Sequence, residues 1–242
     1  MASTTAPGYR ISGLLAFPKE HGITVAFTVS CLTALLLSAQ QLLVPMKLLL
    51  LFLQFLSLQK QKVLAFSTLF SLAVLCSLSG SIDSAIATCL PALFFYAGTK
   101  TLELLPKSKR TLLEIMAIVG ACATPILCCD GLTLVNKVYC IAALASTEIF
   151  GVLAIKLSIQ RNYKHESPQT NSLLFALGIL LWLICFSCCR DSGFYANFII
   201  IQLLTVGQIH FLSKLDSFRE MGKTAAVFAI FTAILLTASV GN

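Results

Sequence analysis

The sequence predicts an all-α, polytopic transmembrane helical bundle with its amino terminus in the cytoplasm and its carboxyl terminus outside. Three observations predict it. Of the 242 residues, 57% are hydrophobic and only 11% charged, which leaves too little polar surface to coat a water-soluble globule of this size. Apolar runs recur along the whole chain and are cut only by short polar bridges, so residues 1–242 read as a single transmembrane domain. Lysine and arginine also segregate by side. They cluster at 10–19, 60–62, 100–110, 156–164 and 214–223 on one face of the membrane, and only Lys47, Lys137 and Arg190 fall on the other. Positive residues mark cytoplasmic loops, which sets the orientation. The formal charge of +7 is therefore a topological signal, and no nucleic-acid partner is expected.

A membrane span needs about 20 apolar residues, or about 17 in a short segment. Nine stretches qualify, at 23–41, 42–58, 63–79, 83–99, 111–129, 131–157, 172–188, 193–211 and 224–240. The second carries Lys47 and follows the first with almost no loop. Pro91 and Pro125 fall inside spans and predict kinks, because neighbouring helices can satisfy the carbonyl that a proline frees. The first run leads into Gln40, Gln41 and another span without a small-residue cleavage site, so the first helix is expected to stay in the mature chain. Between the spans, the cytoplasmic loops 100–110, 160–171 and 213–223 are polar and can carry short interfacial helices, whereas the outer turns "SGSIDS", "CCDG" and "CCRDSG" are tight.

The stretch "FPKEHG" (17–22) places three ionisable residues at the edge of the first span. Two readings stand open. In one, Pro18 starts the helix, Glu20 complements the positive end of its dipole and Lys19 anchors it at the cytoplasmic surface. In the other, His21 and Glu20 line a cavity as proton-handling groups, Lys19 holds an anionic head, and Gly22 permits close approach.

Glu148 is the more informative acid. At about 1.5 Å per residue it lies roughly 13 Å from the cytoplasmic end of its span near 157, in the middle of the hydrocarbon layer. A carboxylate there costs several kcal/mol unless it is protonated, paired or hydrated. Lys156 follows two helical turns later, with Gly151 and Ile155 beside the same stripe, so the span presents a polar strip to the cytoplasm. A structural glutamate bonded to a neighbouring helix is the competing account. Glu114 opens the fifth span and His210 closes the eighth, both on the cytoplasmic side. With Glu20, His21 and Lys156 they are candidates to surround one inward-facing pocket.

Of the ten cysteines, Cys128, Cys129, Cys188 and Cys189 fall at outer helix ends, where thiols can pair or bind a soft metal. Adjacent cysteines do not give zinc-site spacing, and the other six lie in apolar spans, where cysteine acts as a small hydrophobe. No metal site is assigned and no cofactor is identified. The chain has no phosphate-cradling loop, no H-E-x-x-H, no nucleophile turn and no aspartate cluster able to hold magnesium against a diphosphate.

"FPKEHG" resembles the amino-terminal P-K/N-E/Q-H-G motif of the YwiC-like membrane proteins, a bacterial family without an established biochemical role. "KRTLLEIMAIVGA", with Glu114, and the span ending at Lys156 resemble stretches of the same family, as does "FREMGKTAAVFAIFTAILLTA". Ile23 and Thr24 depart from the Ala-Trp that often follows its glycine. The resemblance implies a bacterial inner-membrane protein. Nine spans with polar cytoplasmic loops are also similar in architecture to the UbiA-type prenyltransferases, whose hallmark aspartates are absent here.

Together these readings predict a cytoplasm-facing polar cavity and a lipid- or isoprenoid-modifying enzyme of UbiA-like type. In it His21, Glu20 and Glu148 move protons, and Lys19, Glu114, Lys156 and His210 bind substrate. The alternatives are a proton-coupled small-molecule transporter with Glu148 as coupling site, and a non-catalytic subunit of a membrane complex. The bilayer itself is the one partner expected outright, and the sequence fixes no oligomeric state.

Overall fold

The computed structural model describes residues 21–38, 43–57, 62–79, 86, 89, 111–129, 131–159, 172–192, 195–212, 214–215 and 217–240. All the regular structure among them is helical. Eight helices follow in order: α1 (His21–Leu37), α2 (Leu43–Ser57), α3 (Lys62–Ser79), α4 (Thr111–Leu127), α5 (Leu134–Ile159), α6 (Ser172–Ser192), α7 (Tyr195–Leu212) and α8 (Phe218–Val240). The expected span at 83–99 lies outside the described residues except for Ile86 and Cys89.

Three stretches, Leu134–Ser158, Tyr195–Leu212 and Glu220–Val240, are helical, long and apolar enough to cross a bilayer, and the other five helices hold shorter apolar runs. The outer faces of the bundle are oily as well. Phe70, Leu78, Leu134, Leu203 and Phe211 stand exposed, as do large side chains along every helix. Contiguous apolar surface of this kind is unstable in water and stable against lipid tails, so the chain is an integral membrane protein.

α5 forms the axis. It touches α1, α4, α6, α7 and α8, and most of its length is buried, whereas α7 and α8 expose most of theirs. Its small residues explain the position, because Ala142, Ala143, Ala145, Gly151 and Ala154 let neighbouring backbones come close. α6 packs antiparallel to it through one aromatic knob. Phe150 of α5 lies under Gly178 and beside Trp182 and Phe175, with ring centroids 5.3 and 6.2 Å away. On the other flank, Phe27 of α1 stacks on Phe55 of α2 at 4.5 Å.

Specific contacts fix the directions. Glu114 at the start of α4 meets Lys156 near the end of α5, while Lys137 near the start of α5 donates from Nζ to the Leu127 carbonyl at the end of α4, so these two run antiparallel. α1 runs parallel to α4, with Ser30 beside Cys122 and the Cys129 thiol 3.6 Å from the Ala34 carbonyl. α5 and α7 also run parallel, through Thr147 with Thr205 and Ser158 with Leu215. Ala154, Leu212 and Met221 form a small cluster that brings the start of α8 to the same end as Glu114.

Two local features differ from the sequence reading. Residues 218–223, read as part of a polar loop able to carry a short interfacial helix, are helical and continuous with α8: Ser217 and Glu220 form the S-x-x-E pattern of a capped start, the Met221 amide donates to the Ser217 carbonyl at 3.0 Å, and Lys223 pairs with Glu220 at 2.9 Å. α6 likewise continues through the expected outer turn at 188–192. Pro125 lies inside α4 as expected, and the last turn tightens into i to i+3 bonds, from the Cys128 amide to the Pro125 carbonyl and from Cys129 to Ile126.

Candidate functional site

Hydroxyls inside these apolar helices mostly satisfy themselves. Thr33, Thr124, Thr147, Thr205 and Thr232 each donate to the carbonyl four residues back, at 2.7 to 3.0 Å, which is what a polar side chain does when lipid offers it nothing. Against that background a few buried polar groups stand out.

Glu148 is the foremost. It is only 6% exposed, and its Oε1 makes no hydrogen bond within the protein. Among the described residues no charged group acts on it; the Cys122 thiol of α4 lies near it, with the Ser30 hydroxyl of α1 next to that thiol. Ser30 is buried as well and makes no hydrogen bond of ordinary geometry. Three helices thus bring an acid, a thiol and a hydroxyl to one interior point. Glu148 reaches it because α5 is the axis, so a side chain at that depth faces protein and not lipid.

One turn further along α5, Gln208 of α7 presses its side-chain amide against Gly151. A Cβ built on Gly151 would stand 2.5 Å from Nε2 of that amide, so the glycine lets the amide lie where it does, and a larger residue would displace the end of the Gln208 side chain. Gln208 is 1% exposed, and neither Nε2 nor Oε1 has a hydrogen-bond partner. Leaving a buried amide unpaired costs about 1–3 kcal/mol. Gln202 and Trp182 carry further unpaired buried atoms, but both side chains are partly exposed.

The charged residues singled out from the sequence are distributed unevenly. Glu114 and Lys156 form an ion pair at 2.5 Å with both side chains partly buried at one end of the bundle. Lys156 therefore faces Glu114, two turns from Glu148. His210 is exposed, lies off the buried stripe of α7 formed by Ile201, Thr205, Gln208 and Leu212, and places its ring edge-on to Phe211. His21 begins α1, but its side chain, like Lys19 and Glu20 altogether, lies outside the described residues. Ser30, Cys122, Thr205 and Gln208 were missed from the sequence. The last two were detectable, as the polar members of a stripe that repeats every three or four residues along an otherwise apolar helix.

The Glu114–Lys156 contact is testable alone. Glu114→Gln, Lys156→Met and the double variant should give a coupling energy of about 0.5–3 kcal/mol in thermal unfolding. Additive effects would show that the pair contributes nothing to the bundle.

None of the ten cysteines is in a disulfide. Cys128 lies near Cys76, Cys31, Cys129 and the buried Lys47, while Tyr139, Cys140, Cys185 and Cys189 cluster between α5 and α6. Among the described residues no three His, Cys, Asp or Glu side chains gather as metal ligands would. No known protein family, no curated protein and no solved structure matches this chain.

Proposed function

We propose that this protein is a proton-coupled carrier of a small molecule, in which Glu148 takes up and releases the coupling proton. The observation that carries the reading is the Glu148 carboxyl, enclosed between α1, α4 and α5 with an unpartnered oxygen beside a thiol and a hydroxyl. An ionisable group inside a membrane bundle marks an ion or proton pathway by default. The nearest lysine along its own helix, Lys156, is held by Glu114, so charge compensation of Glu148 falls to a proton or to substrate.

The topology proposed with it is nine spans, the amino terminus inside and the carboxyl terminus outside, in a bacterial inner membrane. Alternating helix directions and the gathering of the Glu114, Lys156 and Met221 ends support it.

A second reading, an enzyme acting on an isoprenoid or other lipid, draws on a different observation. The Glu114–Lys156 pair is partly open to the surface, where an anionic headgroup would compete for the lysine. The two readings separate on solid-supported membranes exposed to a panel of organic acids, amines and amino acids. At least one compound should drive a proton current, and Glu148→Gln should abolish that current while the protein still folds. A current of equal size in Glu148→Gln would refute the carrier reading.

A further inference from the structure

We infer that Cys122 of α4 and Ser30 of α1 are positioning residues that hold the Glu148 carboxylate once its proton has left, the thiol donating to the carboxylate and the hydroxyl donating to the thiol sulfur. The inference rests on the proposal that Glu148 exchanges a proton, and it names the groups that receive the charge left behind.

Helix register brings the three together. α4 and α5 run antiparallel with Glu114 opposite Lys156, and eight residues forward from Glu114 and eight back from Lys156 lie Cys122 and Glu148. At about 1.5 Å per residue both stand roughly 12 Å deeper than the ion pair. The parallel packing of α1 on α4 then sets Ser30 beside the same thiol. All three side chains are buried, those of Cys122 and Ser30 completely.

Ser30 is the member that packing does not explain. Thr33 on the same helix, and Thr124 two residues past Cys122, donate their hydroxyl hydrogens to the carbonyl four residues back. Ser30 is equally cut off from water, yet its Oγ makes no such bond and lies by the Cys122 thiol instead. It keeps a hydrogen to give. Hydroxyl and thiol each carry one donor, and Oε1 of Glu148 is an unfilled acceptor in the same place. A neutral carboxyl gains little from them, whereas hydrogen bonds to an ionised group are roughly twice as strong as those between neutral ones. Rotation between staggered side-chain positions is enough to aim both hydrogens. Cys122 and Ser30 keep their own protons, and the one released by Glu148 leaves for the bathing solution.

Five helices pack on α5, namely α1, α4, α6, α7 and α8, and of their described titratable groups Cys122 is the one that stands by Glu148. Cys31 stands by Cys129, and Cys185 and Cys189 stand by Tyr139. The Glu114–Lys156 and Glu220–Lys223 pairs and His210 lie towards one end of the bundle.

Infrared spectroscopy of the protein in liposomes reads this without a substrate. The carboxyl C=O band of Glu148, identified by its loss in Glu148→Gln, disappears as the acid ionises, and the pH midpoint of that loss is the measurement. Removing a donor penalises the charged form. Cys122→Ala should therefore raise the midpoint by about one pH unit, a tenfold fall in the ionisation constant, and Ser30→Ala should raise it by less. Cys122→Ser supplies the stronger hydroxyl donor and should lower it, which decides the matter if the alanine variants do not fold. A packing role alone would not move the midpoint in opposite directions. A midpoint at or below the parent value in the alanine variants, or at or above it in Cys122→Ser, would overturn the inference and leave Glu148 as the proton carrier. A parent band that persists at every pH at which the protein stays folded would overturn both.

Discussion

Glu148→Leu should unfold at a higher temperature than the parent protein while losing any proton-coupled activity. The sign runs against the usual outcome, since most substitutions of a buried residue destabilise. Here the buried carboxyl leaves Oε1 without a hydrogen bond, so the native state carries the cost of an unsatisfied polar atom. Leucine has similar bulk and asks for no partner. Removing the orphan should return about 1–3 kcal/mol, read as a rise in the unfolding midpoint in detergent. An acid buried inside a membrane bundle is functional by default, and on the carrier proposal its cost in stability is the cost of the coupling site. If Glu148→Leu instead unfolds at a lower temperature, the acid is a structural element and the carrier proposal loses its basis. Glu148→Gln separates charge from hydrogen bonding: it preserves shape and one acceptor, so it should change stability less than leucine does.

The second large effect lies on the other side of the same helix. Gly178→Ala should destabilise the bundle by about 1–3 kcal/mol, the usual cost of forcing extra volume into a filled core. The added methyl would stand 2.6 Å from the tip of the Phe150 ring and within 3.0 Å of two more of its carbons. That ring cannot retreat, because it is 2% exposed and flanked by Trp182 and Phe175. Gly178→Leu should prevent the α5–α6 contact altogether and show as lost expression of folded protein. Shortening the obstacle provides the control: Phe150→Leu combined with Gly178→Ala should recover part of the loss, giving a favourable coupling between the two sites. Equal stability of Gly178→Ala and the parent would mean that α6 does not seat on Phe150.

Much of the helical content was legible because it depends on local composition. The apolar runs at 63–79, 131–157 and 172–188 became α3, α5 and α6 with ends displaced by a few residues, and Pro125 read correctly as an interior residue of α4. Glu148 could be singled out because a lone acid in an apolar run is rare on energetic grounds. What the sequence did not show was who meets whom. Glu114 and Lys156 were placed in one group from the side they share, but that they face each other depends on α4 and α5 packing antiparallel, which is a tertiary fact. His210 drew notice as an imidazole closing its span on the cytoplasmic side, and Gln208 did not because amides are unremarkable in membrane helices. Two residues is about 200° around a helix, so exposing one side chain buries the other. The start of α8 was read as a polar loop able to carry a short interfacial helix, and its continuity with the last span was missed although Ser217 and Glu220 carried a capping pattern.

The two lysines gathered at the far end of α4 bear on how sidedness is read. A helix ends in carbonyls that face away from any partner along the chain, and the aligned peptide dipoles leave that end partly negative. Lys137 donates to the Leu127 carbonyl there, and the buried Lys47 lies beside Cys128, one residue past the last turn. Both are held by the protein itself at this partly negative end. Two of the three residues that depart from the charge asymmetry of the sequence thus sit where a helix terminus attracts a cation, a local reason for their position that is independent of membrane side.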